Sequence, residues 1–280
     1  MRKTGKSRLG GEGSGPDELQ SAFHAGFDKA NNLIVKDIRQ QLFKKFDLLN
    51  GETEQYSASL LKDGYYSGQH EMMNCGEDWF MGIYRMGTAP DSHTPAIAQF
   101  DRNFNVTNKI GSVHDYFKDE IDVHISPVIR VDCEQGIVYK THHKLPFISI
   151  YNYEQDSLYK ETEHIPDSFR LSSEFIEMAG GEDFQEYMIN EQSLSAHLAF
   201  NDDYLFHIYL NETEDFYESH DYRDRAYHTA VYERGTYTYL TSIEMENALV
   251  GSTNSGSLIE LADDDPENFT LRFLEIELTN

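Results

Sequence analysis

The sequence predicts an all-β chain assembled from repeated four-stranded antiparallel units, and three observations carry that reading. Aromatic residues fill 13% of the 280 positions, with 18 Tyr and 17 Phe against a single Trp, a supply that suits strands better than helices. Short apolar runs alternate with turn-forming pairs such as Asn31-Asn32 and Asn50-Gly51, which tolerate the left-handed backbone of a tight hairpin. The runs come in groups of four that recur every ~45 to 70 residues, the rhythm of β-propeller blades, whose radial packing protects the sheet edges.

The units follow in order. The first holds "FHAGFDK", "NNLIVKDI", "QLFKKFDLL" and "TEQYSASLL". The second, over residues 66–113, holds "HEMMNCGED", "DWFMGIYRM", "PAIAQFDRNF" and "NVTNKIGSV". "PVIRVDCEQ", "GIVYKTHHK", "PFISIYNYE" and "SLYKETEHI" make the third. After an interruption at 166–194, "SAHLAFNDD", "YLFHIYLNE", "YHTAVYERG" and "TYTYLTSIEM" make the fourth. A fifth begins near Ala248 and has three strands, so residues 2–9, the length of one strand, are expected to complete it and close the ring. The expectation is a single propeller domain over 1–280, with five units counted and room for a sixth. Within the interruption, Phe175, Met178 and Ala179 recur at helical spacing between the Ser172-Ser173 cap and Gly180-Gly181, which predicts a two-turn helix beside the loop face.

Residues 10–47 carry a more detailed pattern: Gly13, Gly15, Pro16, Glu18, Leu19, Asp28, Asn32, Leu33, Val35, Asp37, Phe46 and Asp47. This stretch resembles an NHL repeat, with Asn31 standing where that pattern prefers Gly. Phe100-Asp101 and Tyr153-Glu154 repeat the closing aromatic-acidic pair in later units. Taken whole, the chain is similar to six-bladed propellers of Bacteroidetes and related bacteria, including a lipoprotein group. The resemblance implies an exported protein of the cell envelope or periplasm. The N-terminus "MRKTGKSRLGGEG" has no apolar run behind its basic start, which reads as a lost leader or else a cytoplasmic protein.

Charge narrows the partners. Lys and Arg total 23 against 49 Asp and Glu, so a net charge of −26 repels nucleic acid and anionic membrane, and no stretch has the length of a membrane span. Cys75 and Cys133 make neither a metal spacing nor a dense disulfide framework and leave the redox compartment open. Gly5-Lys6-Ser7 lacks the upstream glycine and strand of a phosphate loop.

In a propeller, the connections between blades and between second and third strands share one face, the usual ligand face. His114, His142, His143 and His220 fall in or beside those connections, as do Tyr65, Tyr66, Tyr116, Tyr217 and Tyr222, whose rings and hydroxyls suit protein, peptide or glycan ligands. The tripeptide His-Asp-Tyr occurs twice, making His114, Asp115, His220 and Asp221 candidates for a divalent metal such as zinc or calcium. The expected function is a non-enzymatic, monomeric binding scaffold without a cofactor. The alternative is a metal-dependent hydrolase or lyase at the channel mouth.

Overall fold

A computed structural model of the chain describes residues 11–57, 64–67, 72–85, 87, 89–91, 93–118, 125–173, 182–253, 256–263, 270–276 and 278. The described residues form five antiparallel blades in a propeller arrangement, the number counted in the sequence. A small parallel ladder of β1 (Gly11–Glu12) and β2 (Glu18–Leu19) precedes them. The first blade is β3 (Ala22–Phe27), β4 (Leu33–Asp37), β5 (Leu42–Phe46) and β6 (Thr53–Ser57). In the second, two short strands, β7 (Tyr65–Ser67) and β8 (Met73–Cys75), share the inner edge of β9 (Asp78–Arg85), followed by β10 (Pro95–Phe100) and β11 (Val106–Ser112). The third is β12 (Pro127–Asp132), β13 (Ile137–His142), β14 (Ser149–Asn152) and β15 (Ser157–Glu161). Helix α1 (Glu182–Asn190) leads into the fourth, β16 (Ser193–Phe200), β17 (Tyr204–Asn211), β18 (Ala226–Glu233) and β19 (Tyr239–Met245), with α2 (Glu214–Ser219) inside the β17–β18 connection. The fifth has three described strands, β20 (Ala248–Ser252), β21 (Leu258–Asp263) and β22 (Thr270–Leu274). Residues 2–9, expected to complete it, lie outside the described residues, as does the two-turn helix expected between Ser173 and Gly180; the described helix α1 starts beyond Gly180-Gly181.

Four apolar clusters fill the gaps between neighbouring blades. Phe43, Trp79, Phe100 and Phe104 pack between the first two, Phe80, Ile97, Phe117 and Tyr151 between the next. Strand alternation explains how one strand serves two interfaces. In β9, Trp79 faces the first blade and Phe80 the third. In β17, Phe206 and Ile208 join the cluster that reaches the fifth blade, while Leu205 and Tyr209 join the one facing the third. The middle strands are therefore apolar on both faces, and burying each such side chain stabilises by about 1.5–3 kcal/mol.

The acidic ends at Phe46-Asp47 and Phe100-Asp101 now have a mechanism, and in the third blade the same part is played by Asn152, two residues before the Glu154 read in the sequence. Asp28, Asp47, Asp101, Asp132, Asn152 and Asn201 each turn the side-chain oxygen back onto backbone N–H groups two to four residues on. Such Asx turns close a connection in very few residues. All six join first to second or third to fourth strands, so they lie at one end of the propeller. The other end carries the long connections, 113–126, 143–148, 162–192 and 212–225.

At the tight-turn end the innermost strands are tied across the axis. Arg130 of β12 donates to the Thr253 carbonyl of the fifth blade (2.8 Å) and reaches Met73 Sδ of the second (3.7 Å). Arg234 pairs with buried Asp132, and both guanidinium groups approach the ring of Phe200, at 5.9 and 4.5 Å. Cys75 and Cys133 form a disulfide that joins the second and third blades beside this cluster.

Candidate functional site

The long-connection end gathers most of the polar and aromatic side chains picked out in the sequence, but in separate groups. Near the second and third blades, His114 caps the 3-10 turn Asp115–Phe117, its Nδ1 accepting from the Tyr116 N–H (3.0 Å). Its Nε2 faces Glu161 (3.3 Å), which also accepts from Ser149 Oγ (2.7 Å), and its ring stacks on Phe147. The hydrogen bond from His114 holds the Glu161 carboxyl below its usual range. Both imidazole nitrogens are thus engaged, and the lone pair a metal would need is committed to a backbone N–H. Beneath, burial pushes the Lys140 ammonium down to about 7. Burial, with the Lys140 and His114 charges, drives His142 well below its usual value.

Two expectations are corrected here. His142, read as a loop ligand, ends β13 at 1% exposure, because the β13–β14 connection starts only after it. Tyr65, also read as a loop residue, sits in β7 at 5% exposure, covered by the Arg85 guanidinium and the Lys109 ammonium at 4.4 and 4.5 Å from its ring. Tyr66 beside it points out and is exposed.

At the entrance to the fourth blade, His143 Nδ1 donates to the Ser195 carbonyl (3.0 Å), and the Ser195 N–H returns a bond to the His143 carbonyl (2.6 Å). Gln192 Nε2 bonds the Lys144 carbonyl (3.2 Å), while the Tyr187 hydroxyl of α1 donates to Gln192 Oε1 (3.0 Å). Tyr116 OH donates to the Ser172 carbonyl. These bonds seat the described parts of the 162–192 connection on the third and fourth blades, so His143 and Tyr116 position loops here.

The third group is a knob built from the β17–β18 connection. Thr213 caps α2, its Oγ1 accepting from the Phe216 N–H (3.1 Å) and donating to the Asp224 carbonyl across the connection. The helix ends at His220, in the left-handed region at φ 58°. Asp221 then caps a second short turn and clasps Arg223 through both carboxylate oxygens. Burial first, and then the Glu212 carboxylate to which Tyr217 donates, raise the Tyr217 phenol well above its usual value. Glu212 also holds Arg225 (2.9 Å), whose guanidinium lies 3.8 Å from the Phe216 ring and 4.8 Å from that of Tyr222. Tyr222 itself is 64% exposed. Tyr217 and Tyr222 therefore share one group with Phe216, Arg225 and Glu212, and His220 ends the helix between them.

Sequence reading treated this connection as a loop and passed over Arg225 and Glu212. Thr213 followed by Glu214 and Asp215 was the available signal for α2, a cap with an acidic first turn. His114 and His220 belong to different groups, and among the described residues no three His, Cys, Asp or Glu side chains converge on one point. At the opposite end an open, largely polar cavity of about 510 Å³ lies between Asn201, Asp203 and Ser257, Glu275. Among the described residues no helix is long and apolar enough to cross a membrane.

No family model and no curated protein matches the chain in sequence. In fold it is similar to the crystal structure of a member of the DUF4221 family from Bacteroides vulgatus, with TM-score 0.60 and 9% identity, over 96% of this chain and 83% of that one. It is also similar to a candidate exported protein from Bacteroides fragilis, with TM-score 0.56 and 12% identity, over 96% of this chain and 81% of that one. At these identities the likeness speaks for the propeller fold.

Proposed function

We propose that the chain is a binding module that takes a protein, peptide or glycan ligand on its long-connection face, with the α2 knob as the contact point. The observation that carries this reading is the exposed Tyr222 ring on a connection fixed by bonds from Thr213, Asp221, Glu212 and Tyr227. A large amphipathic ring held still loses little entropy on binding, which is why such aromatics dominate interface energies. In this reading no cofactor is required. The disulfide supports a location outside the reducing cytosol, in keeping with the similarity to a candidate exported protein.

The test is a panel of peptides and glycans presented to the full chain and to Tyr222→Ala and Phe216→Ala. A ligand bound by the parent is expected to lose about 2 kcal/mol with either substitution. Unchanged affinity of Tyr222→Ala for every ligand found would remove the knob from the site.

A further inference from the structure

The group around His114, apart from the α2 knob, carries a contact that the binding reading does not use. Tyr116 holds two connections together. Its hydroxyl donates to the Ser172 carbonyl of the 162–192 connection, while its N–H donates to His114 Nδ1 (3.0 Å) and so caps the 3-10 turn Asp115–Phe117. Val113 and Phe117 are buried on either side, and the Val113 N–H is bonded to the Thr94 carbonyl (2.9 Å). Movement of this stretch is thereby confined to the residues between them.

The hydrogen bonds assign the proton on the His114 ring. Nδ1 accepts, so Nε2 carries the hydrogen and donates to Glu161 (3.3 Å). An imidazolium carries hydrogen on both nitrogens, and its Nδ1–H would point at the Tyr116 N–H, donor against donor. The capped turn is compatible only with the neutral ring. It binds one proton fewer than the uncapped turn, so acid favours release.

The groups facing the ring set what a second proton meets. Glu161 on β15, steadied by Ser149 Oγ of β14 (2.7 Å), favours the cation and stays beside it when the cap is lost. Lys140 of β13 lies within electrostatic reach of the same carboxylate and opposes a second cation there. His142, also of β13, has a buried Nε2 without a partner, and burial, followed by the Lys140 and His114 charges, keeps it neutral. Phe147 stacks on the ring without charge, and Asp115 and Lys118 are exposed at the ends of the turn. The His114 and Glu161 side chains are 18% and 35% exposed, so protons reach the pair from solvent.

We infer that His114 is a pH-sensitive latch on the long-connection face. With a neutral ring it caps the turn and holds Tyr116 on Ser172; on protonation it keeps Glu161, gives up the Tyr116 N–H and lets the turn part from the 162–192 connection.

The experiment follows the isotope-labelled full chain by NMR from about pH 8 to pH 5, the range in which histidine changes charge. It reads the His114 ring nitrogens, the hydrogen-exchange protection of the Tyr116 N–H corrected for the intrinsic rate, and the Ser173 amide, whose peptide contains the Ser172 carbonyl. In the parent, Nδ1 is expected to be an unprotonated acceptor at the upper end. As the ring gains its proton, protection at Tyr116 falls at least about tenfold and the Ser173 amide shifts with the same midpoint. His114→Asn keeps a capping oxygen without a titrating ring and is expected to hold the Tyr116 protection within about twofold throughout. Tyr116→Phe keeps the cap and loses the response at Ser173. Thermal midpoints at both ends of the range separate these effects from lost folding, and the titration of the parent decides by itself if a variant fails to fold. A ring that gains its proton while the Tyr116 N–H stays protected, an Nδ1 already protonated at pH 8, or a fall in protection that survives His114→Asn would overturn the latch. None of these outcomes bears on Tyr222, so the binding reading stands or falls separately.

Discussion

Lys36 and Lys140 occupy the fourth position of β4 and β13 and are both about 1% exposed, each with an ammonium that burial lowers, to about 8 and about 7. Lys36 Nζ meets Ser67 Oγ at 2.6 Å, and Lys140 reaches the Ser112 carbonyl. In the unfolded chain both groups return to the ordinary lysine value of 10.5. Above the folded values and below the unfolded one, the unfolded chain holds protons that the folded chain has shed, so these lysines make stability rise with pH. Urea unfolding at pH 7 and pH 9 is expected to show this rise in the parent and a smaller one in K36M/K140M. A slope that survives the double substitution would assign the effect elsewhere. His207 acts on the acid side: burial holds it at about 3, so the folded state loses ground as pH drops below 6.5.

The strands and their spacing were the most legible part of the sequence. Asp-terminated strands such as those ending at Asp101 and Asp132 announce themselves because the side chain that closes the turn sits in the turn. Contacts between blades are less visible, since they depend on residues far apart in the chain. Gly26 and Gly82 show the difficulty. An added Cβ would lie 2.5 Å from the Met72 carbonyl oxygen at Gly26 and 2.6 Å from that of Pro127 at Gly82, so each glycine lets an inner strand touch the next blade. Gly82→Ala is expected to cost about 1–3 kcal/mol by overpacking, whereas Gly235→Ala, facing open space, stays within about 0.5 kcal/mol. Chemical denaturation of both variants checks the contrast. Two further contacts were equally hard to read. Tyr65 lies in a three-residue strand too short for a periodic signal, and the Glu212–Arg225 pair joins the two ends of one connection across thirteen residues.

Across the whole molecule, the Cys75–Cys133 bond spans 58 residues and encloses β9, β10 and β11. Nothing in the sequence announced it, because two cysteines at that separation become neighbours only after two blades have packed side by side. On a chain-entropy view, closing a loop of this length stabilises by about 4 kcal/mol, less any strain. C75S/C133S is expected to lower unfolding stability by about 2–4 kcal/mol, read by denaturant titration, with the parent in reductant showing a similar drop. No difference between oxidised and reduced parent would mean that blade packing alone holds this junction. Arg130, which reaches the second, third and fifth blades, predicts that the loss is felt in one cooperative transition.

The six Asx turns also give the molecule a polarity useful at the bench. An attachment site engineered at Glu134 fixes the propeller by the end that these short, self-closed turns form. The end bearing the knob then points away from the support, and every surface-coupled molecule stands in the same orientation.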